Sequence, residues 1–142
     1  IAWFLKPGGR LYFADGHPAS FVFDEPGADE PAALLDGGPA LFPTPRFGYF
    51  EREPLALDEA EDYADPDAQL AHSRTVEWMH PLGETLTALV DAGLRIDFVH
   101  EHDAVPWRMF AVLEPRGDGL WGWPGTAWLP LGMSLGATRR AD

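Results

Sequence analysis

Three groups of side chains in this sequence are of types and spacings that could do chemistry. The first is Asp15-Gly16-His17, which closes the apolar run Arg10 to Asp15 (RLYFAD). That run reads as a strand, and in open α/β sheets ligands sit beyond the carboxyl ends of the parallel strands. His17 is therefore placed to contact a substrate or act as general base, since an imidazole of near-neutral pKa can take a proton from an acceptor. The plainer reading is a turn histidine in solvent, with Asp15 capping the turn. The second group brings a carboxylate, an indole and an imidazole together at Glu77, Trp78 and His80. Here the plainer reading is His80 as a helix cap ahead of Pro81, and Trp78 as packing. The third is His100 and His102, which share one strand face at a spacing that can chelate a metal. Only Asp103 and distant acids could complete that set, so a solvated strand end is expected and no metal. There is no G-x-S-x-G elbow and no H-E-x-x-H, which leaves hydrolase and metalloprotease chemistry without support.

The elements that must position these groups are readable in part. Ile1 to Lys6 resembles the last turn of a helix, stopped by Pro7-Gly8-Gly9. Arg10 to Asp15 is continuously apolar in its middle, as for a strand buried on both faces. From Gly16 to about Pro66 there is no sustained period, only short apolar stretches at Ser20–Phe23 and Phe47–Phe50, the second a possible short strand in a lid. Ser73 to Met79 is β-prone. A helix is expected after His80, with Pro81 at its first position, Leu82, Leu86, Leu89 and Val90 on one face, and Ala92-Gly93 as its stop. Leu94 to Asp103 alternates, with Leu94, Ile96 and Phe98 on one side, which predicts a strand with one wetter face. Ala104 to Trp128 reads as an aromatic loop. Leu129 to Thr138 reads as a last strand weakened by two glycines and an early proline.

Composition narrows the partners. With 142 residues the chain is one domain in size, and 15 Gly with 14 Pro imply long loops. No cysteine is present, which removes disulfides and thiolate metal sites and favours a reducing, cytoplasmic setting. The net charge is −13, and 13 acidic residues stand against only Arg46 and Arg52 between Asp24 and Asp67. Such a segment repels phosphate backbones and anionic lipid, so neither nucleic acid nor membrane is an expected partner. It is most simply a solvated surface loop.

Several motifs in order resemble class I S-adenosylmethionine-dependent methyltransferases. Leu5-Lys6-Pro7-Gly8-Gly9-Arg10-Leu11 is similar to the turn that leads into that family's fifth strand. Asp91-Ala92-Gly93-Leu94 with Ile96-Asp97-Phe98 looks like the helix end that feeds its sixth. The block from Tyr63 to Asp103, with ADPDAQLAHSRTVEWMHPLGE in its middle, and the terminal Ser134-Leu135-Gly136-Ala137-Thr138 resemble a bacterial subgroup of generic methyltransferases. The resemblance implies an α/β fold with sheet order 3-2-1-4-5-7-6 and an antiparallel seventh strand. This chain then supplies strands 5, 7 and 6, one crossover helix and a long lid insertion, arranged as 1–15, 16–71 and 72–142 of one truncated domain. It further implies that the segment around Glu77, Trp78 and His80 lies at the mouth of the active site.

By that resemblance the intact enzyme passes a methyl group from S-adenosylmethionine to a small-molecule acceptor by in-line displacement, with positioning supplying most of the rate. The expected catalytic residues are His17, His80 and Glu77, and the expected substrate contacts are Asp15, Gly16 and Trp78. The family's glycine-rich loop and its acidic residue for the ribose have no counterpart in these 142 residues. Cofactor-binding residues are therefore not assignable, and the fragment alone is expected to be inactive. The alternative is a non-enzymatic, aromatic-lined binding or interaction module with the same αβ pattern.

Overall fold

A computed structural model describes residues 1–24, 34–35, 38–39, 43–58, 72–110 and 112–141. Most of the acidic run and the segment from Tyr63 to Ala71 lie outside these residues. In chain order, a 3-10 turn at Ala2–Phe4 leads to β1 (Arg10–Gly16), and a second at Ser20–Val22 leads to β2 (Phe23–Asp24). Four short strands follow: β3 (Leu34–Leu35), β4 (Gly38–Pro39), β5 (Thr44–Pro45) and β6 (Leu55–Asp58). Then come β7 (Arg74–Glu77), helix α1 (Leu82–Asp91) and β8 (Leu94–His102). The chain ends with β9 (Ala104–Val105), β10 (Glu114–Pro115), β11 (Trp121–Gly122) and β12 (Gly132–Arg139). The class is mixed α/β, and every ladder among the described residues is antiparallel.

The main sheet has the order β1-β12-β8. β12 runs antiparallel to both neighbours, from Arg10↔Thr138 to Gly16↔Gly132 on one side and from Gly132↔His102 to Arg139↔Leu94 on the other. β1 and β8 thus point the same way without touching. Met133, Leu135 and Ala137 on one face of β12 pack with Leu94 beneath Leu82, Leu86 and Leu89 of α1. Those three leucines form the helix face that the i, i+4, i+7 spacing predicts, whereas Val90 turns away and is 46% exposed. Gly93 stops the helix with φ +82°, a conformation that costs a residue without Cβ little.

The expectation that β1 is buried on both faces is corrected. Leu11 and Phe13 join the core under α1, but Tyr12 is 69% exposed on the opposite face. The continuously buried strand is instead β12, the one whose glycines argued against it. As the central strand it is crowded from both sides, and a Cβ at Gly136 would collide with the Phe98 ring. Glycine here permits close approach and is no mark of a weak strand.

β8 departs from simple alternation through a bulge. Gly136 pairs with Phe98 but Ala137 pairs with Ile96, so Asp97 is the extra residue. The bulge hands the core face from Leu94 and Ile96 to Val99, and turns Phe98 outward over Gly136. Asp97 is clasped at the bulge by Thr138 Oγ1 at 2.5 Å and Arg95 Nε at 2.9 Å. These donors, Thr138 first, hold its carboxyl below the usual carboxylate range.

The aromatic stretch expected as a loop carries a small sheet of its own, β10-β11-β9, over a second core. Val105, Phe110, Leu113, Trp123 and Leu131 fill it. Trp123 stacks on Phe110 at 5.6 Å and donates Nε1–H to the Leu129 carbonyl at 2.8 Å. A buried indole whose N–H is bonded is a packing residue.

Two truncations check the bulged register. Leu135→Ala should lower the unfolding free energy by about 2–5 kcal/mol in urea titrations, the cost of an unfilled core site. Phe98→Ala should cost clearly less, because that ring lies on the open face; equal losses would contradict the register.

Candidate functional site

A cavity of about 990 Å³ opens on the α1 side of the main sheet. Its floor is core, with Phe13, Leu94 and Met133 at the base. The carboxyl end of β1 supplies Asp15 and Gly16, and the following 3-10 turn and β2 supply Phe21 and Phe23. Opposite, the β6–β7 ladder brings Leu55, Leu57 and Glu77, and α1 closes the bowl with Glu84, Thr85, Ala88 and Leu89. The lining is mainly apolar with few polar groups, the usual make-up of a small-molecule site, and the volume is near the upper end of that range.

Five of the six residues expected to be catalytic or to contact substrate meet here: Asp15, Gly16, Glu77, Trp78 and His80 all line the cavity. They arrive from two places about sixty residues apart, Glu77 and Trp78 from the β6–β7 ladder and Asp15 and Gly16 from the end of β1. Trp78 is 52% exposed and is available to a ligand as a wall. A Cβ at Gly16 would lie 2.6 Å from the Phe21 ring and 3.1 Å from Met109 Cε, so these two side chains close in over the glycine. Asp15 Oδ1 accepts the Gly16 N–H at 2.7 Å, the turn-capping role anticipated for it.

His17 does not line the cavity. It is buried, and Nδ1 accepts the Ala19 N–H at 3.1 Å, so the neutral ring carries its proton on Nε2. Nε2 lies 3.0 Å from Glu101 Oε1, close enough for an ion pair yet off the N–H direction, so it makes no directed hydrogen bond. Burial lowers the His17 pKa, against a smaller upward pull from Glu101. Both ring nitrogens therefore face protein, and His17 ties the end of β1 to β8.

His80 is exposed and is not the helix cap. Pro81 takes the cap position of α1 with an extended backbone, and no side chain of that residue can bond the turn. The first free N–H, that of Leu82, is bonded by the Tyr49 hydroxyl at 2.9 Å. Phe47–Phe50, expected as a strand, is a turn that delivers this phenol. Arg52 from the same segment grips both carboxylate oxygens of Glu84 in the first helical turn. That bond, ahead of the Coulombic pull of Arg52 and His80, holds the Glu84 carboxyl below its ordinary value. Glu84 is thus ionised and committed.

The sequence reading missed most of the apolar wall. Phe21, Phe23, Phe47, Leu55 and Leu57 come from the insertion between β1 and β7. The only available signal was the pair of short apolar stretches at Ser20–Phe23 and Phe47–Phe50. His100 stacks on Phe98 at 4.8 Å, and His102 Nε2 bonds Ser134 Oγ at 2.8 Å. No three metal-ligating side chains converge among the described residues. The tryptophans Trp107, Trp121, Trp123 and Trp128 do not line the cavity. No helix among the described residues is long and apolar enough to cross a membrane.

Compared with protein-family models, with curated proteins and with solved structures, the chain matches none.

Two measurements probe this geometry. Tyr49→Phe should cost about 0.5–1.5 kcal/mol in urea titrations, the net worth of one neutral hydrogen bond; no loss would mean that the phenol does not hold the helix start. The lowered His17 pKa sets the sign of a pH effect. The unfolded ring has the ordinary pKa of 6.5 and protonates first on acidification, so stability is full above that value. It falls as the pH drops towards the lower folded value. Urea midpoints at about pH 7.5 and about pH 5.5 should fall less for His17→Gln than for the wild type. Equal falls would remove His17 as the titrating group.

Proposed function

We propose that this chain forms the acceptor side of an S-adenosylmethionine-dependent methyltransferase and that its cavity receives a small-molecule methyl acceptor. The observation that carries the reading is strand order. The last strand lies between two strands that run the same way and is antiparallel to both. This is the relation that the resemblance implies for strands 5, 7 and 6, and the helix before β8 falls where a crossover into the sixth strand belongs. The cavity takes Asp15 and Gly16 from the carboxyl end of the strand equivalent to the fifth, the place where open α/β sheets bind ligands, and extends to Ala2 and Leu94 at the other end of the sheet.

In this reading the chain binds and orients the acceptor and keeps water away from it. Asp15, Gly16 and Trp78 contact the acceptor. Glu77 and His80 are the groups at the mouth that can accept its proton, because Glu84 is already held by Arg52. His17 is a positioning residue that fixes the end of β1 through Glu101 and the Ala19 amide. Among the described residues the lining offers no glycine-rich backbone cradle, so these residues do not fit the cofactor by themselves. No catalytic step is assigned to them on its behalf. The same lack favours the second reading, a non-enzymatic module that binds apolar small molecules.

Calorimetric titration separates the two. With the reading frame upstream of Ile1 expressed in continuity, S-adenosylmethionine should give saturable heat. No binding at millimolar cofactor, or a reading frame that opens at Ile1, would sink the methyltransferase reading and leave the binding module.

A further inference from the structure

The charges around the cavity are unevenly compensated, and this bears on what it holds. Among the side chains that line it, Glu84 is matched by the guanidinium of Arg52 and lies in the field of His80. Arg46 also lines the cavity, with its guanidinium over the Phe47 ring at 5.0 Å, and its charge offsets one carboxylate of the lining. Asp15 and Glu77 line the cavity as well, both exposed, and neither forms a salt bridge with a described cation. Asp15 spends one oxygen on the Gly16 amide, and Glu77 accepts only a long contact of 3.4 Å from Thr75 Oγ1. Each retains oxygen capacity that faces a bowl otherwise walled by Phe21, Phe23, Phe47 and Trp78.

Aromatic faces carry negative potential, and a cation set among them is attracted more strongly once water is displaced. Carboxylates at the rim act in the same direction, whereas an anionic ligand would meet both as repulsion. We infer that the cavity is selective for a bulky hydrophobic cation, a protonated arylalkylamine, with its ring among the phenylalanines and its charge near Asp15 and Glu77. The inference rests on the acceptor-site reading and gives it a ligand class, that of an amine-bearing acceptor.

Calorimetry with three shape-matched probes decides it: naphthylmethyl-trimethylammonium, the neutral naphthyl analogue with a tert-butyl carbon in place of nitrogen, and naphthalenesulfonate. The cation should bind about tenfold tighter than the neutral analogue, with the sulfonate weakest. Asp15→Asn and Glu77→Gln keep the Gly16 and Thr75 contacts possible, and together they should erase most of that preference while neutral binding persists. Thermal melts of the double variant establish that it folds. Equal binding of all three probes, unchanged in the double variant, would overturn the charge selectivity and leave an apolar site. Binding by none would overturn the cavity as a ligand site, and cofactor titration of the upstream-extended chain reports separately on the methyltransferase reading.

Discussion

The seating of β12 between β1 and β8 is the constraint from which the rest follows. Among the described residues it is the only strand of the main sheet hydrogen-bonded along both edges, and its α1-facing side chains Met133, Leu135 and Ala137 are all buried. Because β12 is antiparallel to each neighbour, β1 and β8 are forced to run the same way, and their carboxyl ends emerge at the same end of the sheet. That end is where His17 meets Glu101 and where Asp15 and Gly16 enter the cavity lining. The N-terminal turn is fastened to the other end. Gly8 and Gly9 exchange backbone bonds with Arg139 at 3.0 and 2.8 Å, and the Arg139 guanidinium caps the carbonyls of Ala2 and Leu5.

Among the described residues one helix covers the three-stranded main sheet, and the cavity lies beside it. α1 shields the middle of that face, and described parts of the insertion line the remaining width. Its described parts reach the helix through two contacts, the Tyr49 hydroxyl on the Leu82 amide and Arg52 on Glu84. An exposed ion pair of that kind contributes little on its own. The phenol bond matters more, because an orphan helix N–H has no intrahelical partner and Pro81 offers no side-chain substitute. The wall is therefore anchored to the helix start, and the space left beneath it is apolar because its floor is core.

How far the sequence discloses this depends on whether the signal is local. Pro81, the leucine spacing and Gly93 mark α1 to within a residue, since caps and periodicity are properties of one segment. That Asp15, Gly16, Glu77, Trp78 and His80 line one cavity accords with an expectation drawn from turn chemistry and the resemblance. The burial of β1 is not legible: LYFA is apolar whether its strand is central or at an edge, and only the pairing partner decides. The bulge at Asp97 is likewise hidden, because a period of two cannot announce its own break. It becomes visible only when Phe98 is found over Gly136 and Val99 in the core. The β9–β11 sheet escapes for a different reason. Its strands are two residues long, too short to show any period.

The face of the sheet away from α1 shows how an arrangement of this kind stays folded with one side uncovered. A purely parallel sheet needs cover on both faces, whereas antiparallel ladders tolerate a wet one. Since β12 converts both ladders to antiparallel, this sheet can present Tyr12, Phe98 and His100 to solvent. Phe98 lies 6.4 Å from Tyr12 and 4.8 Å from His100, ring centre to ring centre, and spans the strip above Gly136. The rings shield backbone that the central glycine would otherwise leave bare, the same device by which an aromatic neighbour rescues a glycine in a strand. The bulge that moves Phe98 out of the core therefore has a structural return. It removes a bulky ring from the crowded α1 side and spends it covering the one position of β12 that has no side chain.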